Sequence, residues 1–150
     1  MLSIREEPLT EELVQELIRF SEDWEQEQSC HGYRKNERAD IEGERIFTAC
    51  SGGERVGYLF GHMERAKNTS SIMPEGTACF EVEELYVKPE YRSRGIGKKL
   101  YEAAKDAVRN EGSAEYIMLS TATKNWKAIL HFYLDELGME FWNARLFMRL

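Results

Sequence analysis

Between Glu83 and Leu100 the chain reads Glu-Glu-Leu-Tyr-Val-Lys-Pro-Glu-Tyr-Arg-Ser-Arg-Gly-Ile-Gly-Lys-Lys-Leu, an apolar strand pattern that passes through a basic, glycine-bearing turn into a helical one. Gly95 and Gly97 let the backbone approach an anion closely. The first-turn N–H groups of the following helix lack intrahelical partners, and the helix dipole adds about half a positive charge. Lys88, Arg92, Arg94, Lys98 and Lys99 crowd the twelve residues from 88 to 99 with only Glu90 as an opposing charge. These residue types in this order suit a phosphate group. A dinucleotide fingerprint would need a glycine where Leu100 stands, and a Walker loop would need Ser or Thr where Lys99 stands, so neither nucleotide motif is present.

The elements that must position this turn follow from periodicity. Leu13, Val14, Leu17, Ile18 and Trp24 recur at helical spacing behind Thr10, a suitable N-cap, with Glu11 and Glu12 in the first turn where the dipole favours acids. The polar stretch from Gln26 to Asp40 reads as a loop or a short second helix. Arg45–Cys50 and Arg55–Met63 read as strands joined by Ser51-Gly52-Gly53-Glu54, a hairpin signal. Thr77–Val87 is a long strand closed by Pro89. Ile96, Leu100, Ala103, Ala104, Ala107 and Val108 form a helical stripe ending at Gly112, and Tyr116–Leu119 is a short apolar strand. Asn125–Leu137 is a further helix ended by Gly138, and Arg145–Leu150 reads as a terminal strand. The order predicts an α/β fold, a mixed sheet flanked by helices, in one domain spanning 1–150.

Composition narrows the classes. The 150 residues carry 27 acids and 20 Lys plus Arg, for a net charge of −7, with 42% hydrophobic content. That content suits a packed domain rather than a disordered tail. The excess is confined to the first half, where residues 1–75 hold 16 acids and 9 bases while 76–150 hold 11 of each. Nine acids between Glu6 and Glu27 face one base, Arg19, a distribution that repels nucleic acid and anionic membrane and attracts cations. No apolar run approaches the roughly 20 residues of a membrane span, and no basic-then-apolar start resembles a signal peptide. Cys30, Cys50 and Cys79 show neither CxxC nor CxxH spacing, and His31, His62 and His131 are far apart, so no metal is expected and a reducing cytoplasmic setting is.

The stretch Arg92-x-x-Gly95-x-Gly97 resembles the acetyl-CoA signature of the GNAT superfamily of N-acetyltransferases, Arg/Gln-x-x-Gly-x-Gly/Ala. The likeness extends to the Tyr86-Val87-x-Pro89 strand end before it and to Asn125-x-x-Ala128 with Tyr133 after the next strand, covering about residues 77–142. It implies a mixed, mostly antiparallel sheet flanked by helices and a direct transfer of the acetyl group of acetyl-CoA to a primary amine. In such a protein, strand-end groups at Leu85, Tyr86 and Val87 meet the pantetheine arm, with the backbone of Leu85 and Val87 pairing with it. The loop of Arg92, Ser93, Arg94, Gly95, Ile96, Gly97 and Lys98 would cradle the pyrophosphate, and Asn125 would contact the cofactor arm or cap its helix. Tyr133 would protonate the departing thiolate, the other reading being a core aromatic.

A primary alkylammonium has a pKa near that of lysine, about 10, so attack needs a base. The resemblance implies a carboxylate on the long strand. Regular alternation places Glu83 with Leu85 and Val87 and opposite Glu84, which favours Glu83 unless a bulge intervenes. Cys79, on the same strand, reads as a small buried hydrophobe.

The acceptor is expected among the first helices. Trp24, Glu25, Glu27, His31 and Tyr33 combine carboxylates with aromatic faces that attract ammonium groups, so Trp24 and Tyr33 are the substrate-contacting candidates for a cationic small-molecule amine such as a polyamine or aminoglycoside. A peptide N-acetyltransferase, a non-catalytic acyl-CoA sensor and an unrelated nucleotide-phosphate binder are the alternatives. The terminal strand would offer an edge for a homodimer.

Overall fold

The computed structural model describes residues 1–150. Five strands form one sheet in chain order: β1 (Leu2–Glu7), β2 (Arg45–Ser51), β3 (Glu54–Arg65), β4 (Ala78–Val87) and β5 (Tyr116–Leu119). The first three junctions are antiparallel and the β4–β5 junction is parallel, so a crossover helix must connect that pair. It is α3 (Ile96–Glu111). The remaining helices are α1 (Glu11–Glu27), α2 (Arg38–Ile41) and α4 (Trp126–Leu130), the last continuing as a π-helical segment over His131–Glu136.

Each face of the sheet is covered by the helix whose apolar stripe fits it. Ile96, Leu100, Tyr101, Ala104 and Val108 of α3 pack on Phe47, Ala49, Leu59, Phe80 and Val82. Leu13, Val14, Leu17 and Phe20 of α1, joined by Ile41 of α2, pack on Ile46, Tyr58, Phe60 and Tyr86. The α1 start is fixed as its sequence predicts, the Thr10 hydroxyl accepting from the Leu13 N–H at 3.1 Å. In the β2–β3 hairpin both Gly52 (φ +61°) and Gly53 (φ +80°) adopt the left-handed conformation that the tight primed turn demands.

A bulge re-aims β4. Phe60 pairs with Glu84 and Gly61 with Val82, leaving Glu83 as the extra residue. Gly61 is obligatory at this crowded point, since a Cβ there would lie 2.3 Å from the Glu81 carbonyl oxygen. On its other side β4 pairs with β5 only from Cys79 to Val82, so its last five residues, Glu83–Val87, have no strand partner there.

Two expectations are corrected. The chain begins with a strand rather than a helix: β1 pairs with β2 from Leu2↔Ser51 to Glu7↔Ile46. Arg145–Leu150 is not a strand, and the segment after Gly138 forms neither helix nor strand. Its apolar residues Leu146, Phe147, Met148 and Leu150 do not strictly alternate and all are exposed. Without one buried face, nothing specifies a register against a neighbouring strand. The edge invoked for a homodimer is therefore not formed.

Candidate active site

The basic turn begins at the end of β4 with a 3₁₀ turn, Pro89–Tyr91, and leads into α3. Ser93 (φ +63°) and Gly95 (φ +79°) both take left-handed conformations, which turn the chain abruptly so that the first N–H groups of α3 face outward. A Cβ at Gly95 would meet nothing within 4 Å, and one at Gly97 would meet only the Phe132 ring at 3.5 Å. Glycine at 95 is thus required by conformation, and at 97 an added Cβ would stand in ordinary contact with Phe132. Lys98 and Lys99 are exposed, Ile96 is buried beneath the turn, and the Arg94 guanidinium lies 5.2 Å from the centre of the Tyr91 ring.

Arg92 departs from its expected place in the cradle. Its guanidinium forms a bidentate pair with Glu27 at 2.8 and 3.0 Å, its Nε donates to the Val87 carbonyl at 2.8 Å, and it lies 5.3 Å from the Tyr86 ring centre. Its side chain braces the turn against the C-terminal end of α1.

The free edge of β4 can be read from its hydrogen bonds. Lys88 N–H donates to the Val56 carbonyl of β3, and backbone groups alternate along a strand. Tyr86 and Glu84 therefore share the direction of Lys88, toward β3, while Leu85 and Val87 turn their N–H and C=O groups to the side that β5 has left. Tyr86, grouped with them in the sequence, is instead a core residue of the α1 face whose hydroxyl donates to Glu27 at 2.6 Å.

The bulge also overturns the parity expected for the two acids. Leu85 and Val87 pack toward the α3 face, yet Glu83 lies on the α1 face, its carboxylate 3.8 Å from His62 Nδ1. Glu84 is on the α1 face too. It accepts from Tyr58 Oη at 2.7 Å, Asn36 Nδ2 at 2.9 Å and Tyr33 Oη at 3.3 Å. Burial pushes its carboxyl pKa up against these three donors. The two carboxylates thus differ in kind: Glu84 is saturated and enclosed, whereas Glu83 is exposed and without a close donor.

Sequence reasoning missed the surroundings of Glu83. His62 Nδ1 is 3.0 Å from both oxygens of Glu44, and its Nε2 is 3.8 Å from Glu64. Glu81, opposite His62 in the ladder, has an enclosed Oε2 with no hydrogen-bond partner, and burial raises its pKa. The available signal was the alternation of Tyr58, Phe60, His62 and Glu64 on β3, but matching it to β4 requires knowing the bulge.

Tyr133 sits in the π-helical segment, partly buried, and no residue of the protein takes its hydroxyl hydrogen bond. Burial, with smaller effects of Cys30 and Tyr101, pushes its phenol up to about 12. Asn125 occupies the N-cap of α4 but its side chain makes no capping bond, which leaves it exposed and free. The loop after α1 is stitched to the segment before α4 by His31 N–H to the Ala122 carbonyl (2.9 Å) and Lys124 N–H to the Ser29 carbonyl (2.8 Å).

Of the acceptor candidates, Trp24 stacks on Tyr33 with ring centres 4.3 Å apart. Glu25 is committed to the Lys35 N–H at 2.8 Å and Glu27 to Arg92 and Tyr86, so neither is a free lining carboxylate; His31 meets the Phe147 ring edge-on at 5.4 Å.

A sheet with this order, opening between β4 and β5 beside a basic, glycine-bearing turn, is the architecture of an acetyltransferase. Residues 9–139 match the family model described as the acetyltransferase (GNAT) family, and the chain belongs to that family. An N-alpha-acetyltransferase of Saccharolobus solfataricus is 30% identical over 87 residues, which are 58% of this chain and 52% of that protein. The chain therefore spans about half the length of this curated relative. Among solved structures, an aminoglycoside acetyltransferase from an uncultured soil metagenomic sample superimposes with a TM-score of 0.69 at 19% identity, covering 100% of this chain and 99% of that one. The aminoglycoside acetyltransferase AAC(6')-Iy, in complex with a bisubstrate analogue built on CoA, gives 0.67 at 18% identity, with 100% and 98% covered. No helix is long and apolar enough to cross a membrane.

Proposed function

We propose that the chain transfers the acetyl group of acetyl-CoA directly to a primary amine on a cationic small molecule such as an aminoglycoside or a polyamine. The observation that carries this reading is a single continuity along β4. Its free backbone edge at Leu85 and Val87 leads at one end into the anion-binding turn and at the other to the exposed carboxylate of Glu83. The turn fits a pyrophosphate through the first-turn amides of Ile96, Gly97 and Lys98, and a Cβ at Gly95 would meet nothing within 4 Å, which leaves room for it. Leu85 and Val87 fit the amides of a pantetheine arm by strand addition, and Asn125 at the start of α4 has a free side chain to hold it.

In this reading Glu83 receives a proton from the bound ammonium, directly or through water, and frees the lone pair for attack. A strand N–H at the bulge polarises the thioester carbonyl, and no residue is acylated. As the carbon–sulfur bond breaks, Tyr133 donates its hydroxyl hydrogen to the departing sulfur, and the second proton shed by the acylated nitrogen restores the phenol through water. A phenol held up near 12 stays protonated throughout the working range and is ready to do so. The acceptor lies on the α1 face, where Trp24 and Tyr33 present stacked aromatic surface to a cation.

The test is CoA release from acetyl-CoA across aminoglycosides, polyamines, lysine peptides and peptides with free N-termini, with no-acceptor controls for the three free cysteines. Preferential turnover of polycations supports the reading. The similarity to an N-alpha-acetyltransferase favours a second one, in which a peptide N-terminus is the acceptor, and turnover confined to those peptides would select it.

A further inference from the structure

The proton lost by the ammonium needs a resting place better matched to an amine than a solvent-facing carboxylate. An imidazole is a closer match at neutral pH. One stands beside Glu83. His62 projects from β3 onto the same face, its Nδ1 3.0 Å from the Glu44 carboxylate and 3.8 Å from Glu83. Glu44 is the enclosed member of the group, with 12% of its side chain exposed against 29% for His62 and 47% for Glu83. The geometry is that of a carboxylate–imidazole pair: Nδ1–H donates to Glu44, which holds the ring and its tautomer and leaves the lone pair on Nε2, with the Glu64 carboxylate 3.8 Å from that nitrogen.

We infer that the Glu44–His62 pair is the terminal proton acceptor of the transfer, with Glu83 receiving the ammonium and Glu44 acting as the positioning residue. This rests on the acetyl-transfer reading and deepens it. The N–H bond of the ammonium breaks, its electron pair stays on nitrogen for the attack, and the proton passes through Glu83 and water to Nε2. The imidazolium so formed releases it to solvent before the next turnover.

The charged groups around the ring fit the role. Glu44 approaches from the turn before β2, Glu64 from β3 itself, and Glu81 and Glu83 from β4. Burial would lower the imidazole pKa, but the bond to Glu44 and the charges of Glu44, Glu83 and Glu64 outweigh it, and the net shift is upward from 6.5. The neutral, proton-accepting form therefore builds up as pH rises through a midpoint above 6.5.

The experiment follows kcat/KM for the best amine from pH 6 to 10 in wild type, H62Q and E44Q, with acetyl-CoA affinity and thermal unfolding measured alongside. Wild type should show a rising limb with its midpoint above 6.5. H62Q should lose that limb and fall about 10- to 100-fold at pH 7.5 while binding acetyl-CoA normally. E44Q should keep the limb but move it toward acid, because the carboxylate that supports the imidazolium is gone. The His62 ring titration, read by NMR, should move by the same amount. An H62Q variant that keeps the limb, or an E44Q variant whose midpoint and ring titration stay in place, overturns the inference alone. A wild type that acetylates no amine overturns the acetyl-transfer reading and this role with it.

Discussion

Arg92 and Glu27 are joined by a bidentate ion pair, 2.8 and 3.0 Å, across 65 positions of sequence. The pair ties the turn that precedes α3 to the last turn of α1, and the Tyr86 hydroxyl on Glu27 completes the brace. The acidic first helix thus holds the basic turn in place. Glu27→Gln should raise KM for acetyl-CoA about 3- to 10-fold with kcat little changed, since a partly exposed pair of this kind contributes about 1 kcal/mol. Steady-state kinetics at saturating amine, repeated at higher salt, measures it.

A side chain at Gly97 would crowd the first turn of α3 against the Phe132 ring. Gly97→Val should fold, because the added Cβ meets only the Phe132 ring at 3.5 Å, yet lose acetyl-CoA affinity by tenfold or more, as measured by calorimetry. Gly95→Ala should behave differently. At φ +79° any side chain is strained, so it should lower unfolding stability by about 1 kcal/mol in urea titration.

Tyr133→Phe should lower kcat by about 10²-fold and leave both KM values near wild type, the signature of an interaction made chiefly in the transition state. With the wild-type phenol pushed up to about 12, its ionisation should not reduce turnover anywhere below about pH 11. A pH profile of kcat for both proteins checks the two statements together.

Glu7 links three elements. Its carboxylate takes Arg55 at 2.8 and 2.9 Å and also bonds Thr48, while Arg55 continues to Glu16 of α1. The Arg55 guanidinium, helped by Thr48 and against burial, holds the Glu7 pKa down at about 2 from an ordinary 4.5. A depressed carboxyl stabilises the fold above its unfolded pKa and loses that contribution as pH falls through the folded one. Stability should therefore decline between about pH 4.5 and pH 2, and Glu7→Gln should be less stable at pH 7 by about 1–2 kcal/mol with a flatter acid limb. Urea unfolding at pH 7, 4 and 3 measures both.

Much of the fold was legible because it is written locally. The stripe of α1 behind Thr10, the Gly52-Gly53 hairpin and the turn from β4 into α3 each carry their own period, cap or glycine, and each stands where the sequence places it. What escaped depends on partners. β1 offers only Leu2 and Ile4 as apolar residues before Arg5-Glu6-Glu7, and its strand exists through pairing with β2. The reverse error, a strand at Arg145–Leu150, came from an apparent alternation without a partner edge. In the site, the turn and its glycines were readable, but the commitment of Arg92 to Glu27 was not. The bulge that brings Glu83 beside His62 and Glu44 is a property of two strands together, and so was visible only in the ladder.

The central claim is direct acetyl transfer from acetyl-CoA to an amine in one ternary complex. Initial rates measured over a grid of acetyl-CoA and amine concentrations, with the amine product identified by mass spectrometry, test it most directly. The account predicts intersecting double-reciprocal lines and a mono-acetylated amine formed in step with free CoA. Parallel lines with an acetylated protein intermediate, or CoA release that leaves the amine unmodified, would contradict it.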